Sequence, residues 1–96
     1  MKKSAYLINV GRGGIIVEED LAKALVDNEI AGAGLDVLEH EALEKNNLLL
    51  GIRNSMRLII TPHIAWASVE SRKRCVEEVI LNIESYIEGN SRNRVV

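Results

Sequence analysis

Phenylalanine is missing from these 96 residues, and one tryptophan and two tyrosines are the whole aromatic complement. There is one cysteine, Cys75, and one proline, Pro62. A lone thiol forms no internal disulfide and no multi-cysteine zinc site. A lone proline leaves no proline-rich linker, and neither a repeat nor a low-complexity tract breaks the chain. An excess of one charge is lacking too. Twelve Lys and Arg face 14 Asp and Glu for a net charge of −2, so there is no basic footprint for nucleic acid. The longest apolar run, Ile30 to Leu35 with its glycines, falls far short of the ~20 residues that span a bilayer. Met1-Lys2-Lys3-Ser4 is basic, but the apolar stretch behind it is short and broken by Asn9, unlike a secretory signal. The length allows one domain at most. These features predict a soluble cytoplasmic protein with neither nucleic acid nor membrane as a partner.

Short apolar segments and helical patterns alternate along the chain. Ala5–Val10 is a β-branched-rich run closed by Gly11, Gly13 and Gly14, which reads as a buried strand. Glu18–Asn28 places Leu21, Ala22, Ala24, Leu25 and Val26 behind three acids, Glu18, Glu19 and Asp20, which suit the positive end of a helix dipole. Ile30–Val37 reads as a second strand, with small residues where a backbone or ligand comes close. Residues 39–55 read as a polar loop with one helical turn around Leu48–Leu50. Arg57–Thr61 reads as a third strand, stopped by Pro62. From Ser68, a plausible N-cap, the stripe Val69, Val76, Val79, Ile80, Ile83, Ile87 predicts a long helix ended by Gly89.

Strand–helix–strand–loop–strand–helix argues an α/β fold with about three parallel strands and flanking helices, the C-terminal half of a Rossmann-like doubly wound sheet. Strands buried on both faces need neighbours, so the pattern predicts completion by another copy or by further chain. The two glycine clusters fail as nucleotide loops. After Gly11-Arg12-Gly13 the third fingerprint glycine would fall at Ile16, and after Gly32-Ala33-Gly34 it would fall at Val37. No Gly-Lys-Ser/Thr follows either cluster. A tight turn and close packing are the expected roles of these glycines.

Polar residues gather where the predicted strands end. Arg12 follows the first strand, Asp36 ends the second, Glu41 lies five residues on, and His63 follows the third. Carboxyl ends of parallel strands share one edge, where ligands bind. Taken singly, each has a structural reading: Arg12 a solvated charge on a glycine turn, Asp36 a loop cap, Glu41 a surface carboxylate, His63 a satisfied structural histidine. Together they make a site. A guanidinium grips a carboxylate, an imidazole exchanges a proton near neutrality, and a carboxylate beside it holds a proton on the ring. His40 reads as a solvated loop residue.

Three stretches carry a resemblance: Leu7-Ile8-Asn9-Val10-Gly11-Arg12-Gly13-Gly14, Gly34-Leu35-Asp36-Val37-Leu38-Glu39-His40-Glu41, and Thr61-Pro62-His63-Ile64-Ala65. In order and spacing they resemble the C-terminal half of the NAD-binding domain of D-isomer-specific 2-hydroxyacid dehydrogenases. Ile64-Ala65-Trp66-Ala67-Ser68 looks most like the glycerate dehydrogenase/hydroxypyruvate reductase branch. The resemblance implies an oxidoreductase acting on a small 2-oxo or 2-hydroxy acid with NAD. Arg12 matches the residue that binds the substrate carboxylate, His63 the acid/base, and Glu41 its paired carboxylate. Asp36 matches a residue near the nicotinamide carboxamide, with Val10, Gly11, Arg12, His63, Ile64, Ala65 and Trp66 lining the same ring. No metal is implied.

Departures from the family are equally specific. The family commonly has proline at the positions of Ala42 and Leu48, so the loop carrying Glu41 is expected to be less rigid here. The dinucleotide fingerprint, the acid that reads the adenosine ribose and the substrate domain are absent, so nothing distinguishes NADH from NADPH. The expectation is a piece of such an enzyme. Residues 1–89 are the C-terminal half of the NAD-binding domain, and the tail 90–96 resembles the strand that would return to the substrate domain. Such a piece is expected to be inactive alone. The alternatives are a non-catalytic, self-associating chain and a module completed by a separate N-terminal chain. Because the first strand would be interior in a complete domain, its unpaired edge predicts a homo-oligomer.

Overall fold

The computed structural model describes every residue except Ala42, Leu43, Ser55 and Val96. The loop position of Ala42 and the last residue of the tail therefore lie outside the described residues. The elements are β1 (Tyr6–Asn9), α1 (Glu18–Val26), β2 (Gly32–Leu35), a 3-10 turn (Leu48–Gly51), β3 (Leu58–Ile60) and α2 (Val69–Ile87). The chain divides into two compact units, Met1–Ala65 and Trp66–Val96.

In the first unit the three strands form one parallel sheet in the order β1-β2-β3, with Asn9 opposite Leu35 and Leu35 opposite Ile60. Side chains alternate across a strand. Leu7, Ala33, Leu35, Leu58 and Ile60 therefore join a core with Leu21, Ala22 and Leu25 of α1, while Tyr6, Ile8 and Ile59 are exposed. Within this unit α1 covers the face that carries Leu7, Ala33, Leu35, Leu58 and Ile60. Leu25 of α1 and Leu49 of the 3-10 turn are the largest fully buried side chains, so α1 and the loop behind β2 share one apolar anchor.

The elements are shorter than the apolar runs that announce them, for identifiable reasons. β1 stops before Val10 because the Asn9 side chain takes over the backbone: Oδ1 accepts from Gly11 N at 3.1 Å, and Nδ2 donates to the Arg12 carbonyl at 2.9 Å. β2 starts late because Arg57 donates to the Ile30 and Ala31 carbonyls from Nη2 and Nε. α1 ends before Asn28, which takes φ 58; Asn28 N donates to Leu25 O and Glu29 N to Ala24 O, a left-handed asparagine cap.

The second unit follows the sequence closely. Ser68 caps α2 through an oxygen that accepts from Ser71 N at 3.1 Å. Gly89, at φ 74, ends it, with Gly89 N donating to Tyr86 O and Asn90 N to Ser85 O. No residue of α2 is buried, and its stripe from Val69 to Ile87 is exposed. The described tail forms no strand. Instead Arg92 donates to both carboxylate oxygens of Glu78, and Asn93 donates to Glu78 and Asn82.

Candidate functional site

Parallel strands bring their carboxyl ends to one edge, and backbone bonds carry that edge past the strands. Asp36 N donates to Asn9 O, Thr61 N to Leu35 O, and His63 N to Asp36 O, each at 2.9 Å. The segments after β1, β2 and β3 are thereby stitched side by side, as the sequence predicted.

Asp36 organises this edge. It is 4% exposed, and its side chain accepts three bonds from the segment after β3. Thr61 Oγ1 and Ile64 N donate to Oδ1 at 2.5 and 2.9 Å, and Ala65 N donates to Oδ2 at 2.8 Å. The three donors straddle His63, whose φ of 54 lies in the left-handed region that ordinary side chains avoid. The Asp36 carboxylate thus holds the one residue of the turn that resists its own backbone conformation. The Thr61 hydroxyl foremost, then the Ala65 and Ile64 amides and the nearby His63, hold the Asp36 carboxyl below the usual carboxylate range, against a burial effect that pushes it up.

The sign of the pH effect follows. A carboxyl lowered in the folded state contributes stability that is complete above its ordinary value of about 3.9. That stability is lost as pH falls through the lower folded value. Acidification below pH ~4 is expected to release the 61–65 turn. Amide exchange at Ile64 and Ala65 should accelerate below that pH, and Asp36→Asn should show no such step. Protection that is flat through this range in the parent chain would contradict the assignment.

His63 Nδ1 lies 2.7 Å from Glu41 Oε1. A carboxylate only accepts, so Nδ1 carries the proton in this pair. Glu41, rather than Asp36, is the carboxylate on the ring. A cleft of about 260 Å³ opens beside the pair, lined by Asp36, Leu38, Glu41, Thr61 and Pro62. Arg12 reaches the same edge through its carbonyl bond to Asn9, and its Nη1 donates to the Gly11 carbonyl at 2.8 Å. Gly13 brings this loop against the one that leads to Glu41. A Cβ there would overlap the Leu38 carbonyl and come within 2.7 Å of Glu39 N, so only glycine allows the approach.

A second cleft, about 320 Å³, is lined by Val10, Gly34, Asp36, Ile64 and Ala65 among others. Apolar walls with one carboxylate suit the face of a nicotinamide ring and its carboxamide. Asp36 has capacity for this: three of about four lone-pair positions are taken, and an amide N–H can use the remaining one on Oδ2. Trp66 opens the second unit and is exposed. Among the described residues no cluster of His, Cys, Asp or Glu forms a metal site, and no helix is long and apolar enough to cross a membrane.

Sequence reasoning missed Glu18. Read as an acid at a helix start, it accepts Glu39 N at 2.7 Å on Oε1 and Asn47 Nδ2 at 2.6 Å on Oε2. The available signal was Val17, a residue that cannot cap and that makes no side-chain cap bond.

Comparison with known proteins identifies the family. The family model for the NAD-binding domain of D-isomer-specific 2-hydroxyacid dehydrogenases matches residues 1–65, the first compact unit. A hydroxypyruvate reductase of Blautia hydrogenotrophica is 44% identical over 99% of this chain and 29% of its own length. A glycerate dehydrogenase of Methylorubrum extorquens is 41% identical over 99% of this chain and 30% of its own. Among solved structures, an acyclic imino acid reductase in complex with NADPH and D-Arg superposes with a TM-score of 0.77 at 40% identity, covering 100% of this chain and 29% of that one. A D-lactate dehydrogenase from Aquifex aeolicus complexed with NAD and lactic acid gives 0.65 at 32% identity, over 94% of this chain and 31% of that one. The chain spans less than a third of the length of the curated relatives quoted. By sequence, by fold and by the strand-end edge just described, it belongs to the D-isomer-specific 2-hydroxyacid dehydrogenases, and residues 1–65 are NAD-binding domain.

Proposed function

We propose that this chain carries the acid/base centre and part of the nicotinamide site of an NAD-dependent reductase of small 2-oxo acids, of the hydroxypyruvate and glyoxylate kind. The observation that carries this reading is the 2.7 Å pairing of His63 Nδ1 with Glu41, on a turn pinned by Asp36. Glu41 fixes the proton on Nδ1 and orients the ring, and Nε2 exchanges the proton of the substrate hydroxyl. Arg12 takes the substrate carboxylate as a planar fork and polarises the adjacent carbonyl. Asp36 accepts the nicotinamide carboxamide while Val10, Gly11, Ile64 and Ala65 line the ring. Bound nicotinamide supplies the hydride, and the protein supplies position and charge. The tail 90–96 returns toward a substrate domain, and the protein works in the cytoplasm, a compartment that the exposed thiol Cys75 suits.

Without a dinucleotide fingerprint in its sequence, the 96-residue chain by itself is expected to give no measurable NADH-dependent reduction of glyoxylate or hydroxypyruvate. Turnover that disappears on His63→Ala would show the isolated chain to be a complete catalyst and overturn this expectation.

A second reading, self-association, is favoured by the outer edge of β1 and by exposed Tyr6, Ile8 and the α2 stripe. Unpaired strand edges and apolar faces recruit further chains. Light scattering is expected to report a dimer or larger species at high concentration; a stable monomer there would remove this reading.

A further inference from the structure

Glu41 has little of its own to hold it in place. Its side chain is 68% exposed, so its reach to His63 is set by the backbone that carries it. That backbone leaves the core after buried Leu38 and returns to it at buried Leu49. Both departure and return are fixed by one side chain from another element. Glu18, the first residue of α1, accepts Glu39 N with Oε1 and Asn47 Nδ2 with Oε2. Asn47 has no choice of orientation, because its Oδ1 accepts Leu49 N at 2.9 Å as the cap of the 3-10 turn. Nδ2 therefore faces Glu18 as a donor. Both bonds to Glu18 are charge-assisted, the stronger class of hydrogen bond.

We propose that Glu18 is a positioning residue: a two-pronged clamp that holds Glu39 and Asn47 and so presents Glu41 to His63. This rests on the reading of Glu41 and His63 as a working pair. Glu39 lies two residues before Glu41, so a fixed Glu39 amide limits where the Glu41 backbone can stand. The clamp also ties the pair to the buried face of α1 through Leu21 and Leu25, so the pair's geometry is referred to the core. A helix-dipole role alone would need only a negative charge near the first turn, which Glu19 and Asp20 already provide. The clamp demands a double acceptor at position 18 and a donor at position 47.

That polarity makes the inference testable by exchange. Glu18→Gln keeps the size but cannot accept from both Glu39 N and Asn47 Nδ2. Asn47→Asp keeps the oxygen that caps Leu49 and replaces the donor with an acceptor facing Glu18. Each single change breaks the clamp. The double change restores it with donor and acceptor reversed, the glutamine amide now donating to the aspartate. The readout is the His63 Nδ1 proton in 15N-labelled full chain, with Glu41→Ala as the reference for a ring that lacks the Glu41 carboxylate. Each single variant is expected to speed exchange of that proton roughly tenfold, and the double variant to bring it back near the parent rate.

A parent chain whose Nδ1 proton behaves as in Glu41→Ala would remove the pair, and the functional reading with it. A protected parent proton that stays protected in both single variants would overturn the clamp alone. Failure of the double variant to restore protection would do so too. Should Glu18→Gln lose its fold, Asn47→Asp decides, since it leaves α1 untouched.

Discussion

Alanine at His63 is expected to lower kcat/KM for hydroxypyruvate by about 10³-fold when this chain replaces the matching segment of the Blautia hydrogenotrophica reductase. A positioned general acid/base is worth roughly 10²–10⁴-fold, and His63 is the imidazole that the strand-end edge places beside a carboxylate, 2.7 Å away. The chimera is the appropriate host because the relative matches 99% of this chain while supplying the rest of its own length. The loss should fall mainly on kcat, since the ring serves proton transfer more than binding. Arg12→Lys is expected to act differently. A point charge replaces a planar fork, so KM should rise while the acid/base limb of the pH profile stays put. A His63→Ala chimera as fast as its parent would show the proton to come from elsewhere.

Gly13→Ala is the substitution expected to damage the fold most. A methyl group there meets backbone, the Leu38 carbonyl and Glu39 N, and neither can swing aside as a side chain would. Overpacking costs about 1–3 kcal/mol and sometimes more, against roughly 3–10 kcal/mol of total stability for a unit of this size. The first unit should lose a large part of its cooperative melting transition, and with it the approach of the Arg12 loop to the loop carrying Glu41. Gly51→Ala is the control. An added Cβ at Gly51 meets nothing within 4 Å, and its melting should match the parent. Equal melting of Gly13→Ala and Gly51→Ala would mean that the two loops do not meet at Gly13.

What the sequence made legible divides along physical lines. Periodicity and punctuation reveal local structure, so α2 was readable from cap to cap: Ser68 accepts from its first turn and Gly89 takes φ 74. Topology was readable because alternating short strands and helices admit few arrangements, and parallel strands must share a carboxyl edge. Hence Arg12, Asp36 and His63 were predicted at one edge. Pairing within the edge was less accessible. Residue type alone did not say which acid meets the histidine; the resemblance pointed to Glu41, and the geometry puts Glu41 on the ring and Asp36 on the turn. Arg57 closing β2 and the bonds of Glu18 were not legible at all. Each depends on partners more than twenty residues away, which no local pattern encodes.

Asp36 shows how these levels connect. Its place at the end of β2 is a matter of topology, and its burial leaves it accepting from one hydroxyl and two amides. Those bonds stabilise the left-handed His63, and the left-handed turn aims the imidazole at Glu41. A buried carboxylate that satisfies three donors is thus both a structural post and a neighbour of the apolar cleft between Val10 and Ile64.

The most direct test is a titration of the 15N-labelled chain with reduced nicotinamide mononucleotide, which carries the reactive ring without the adenosine half. Amide shifts should concentrate on Val10–Arg12, Asp36 and Ile64–Ala65, and Asp36→Asn should abolish them. Shifts confined to α2, or an unchanged spectrum at concentrations where free nicotinamide binding is detectable elsewhere, would contradict a nicotinamide site at the carboxyl ends of these strands.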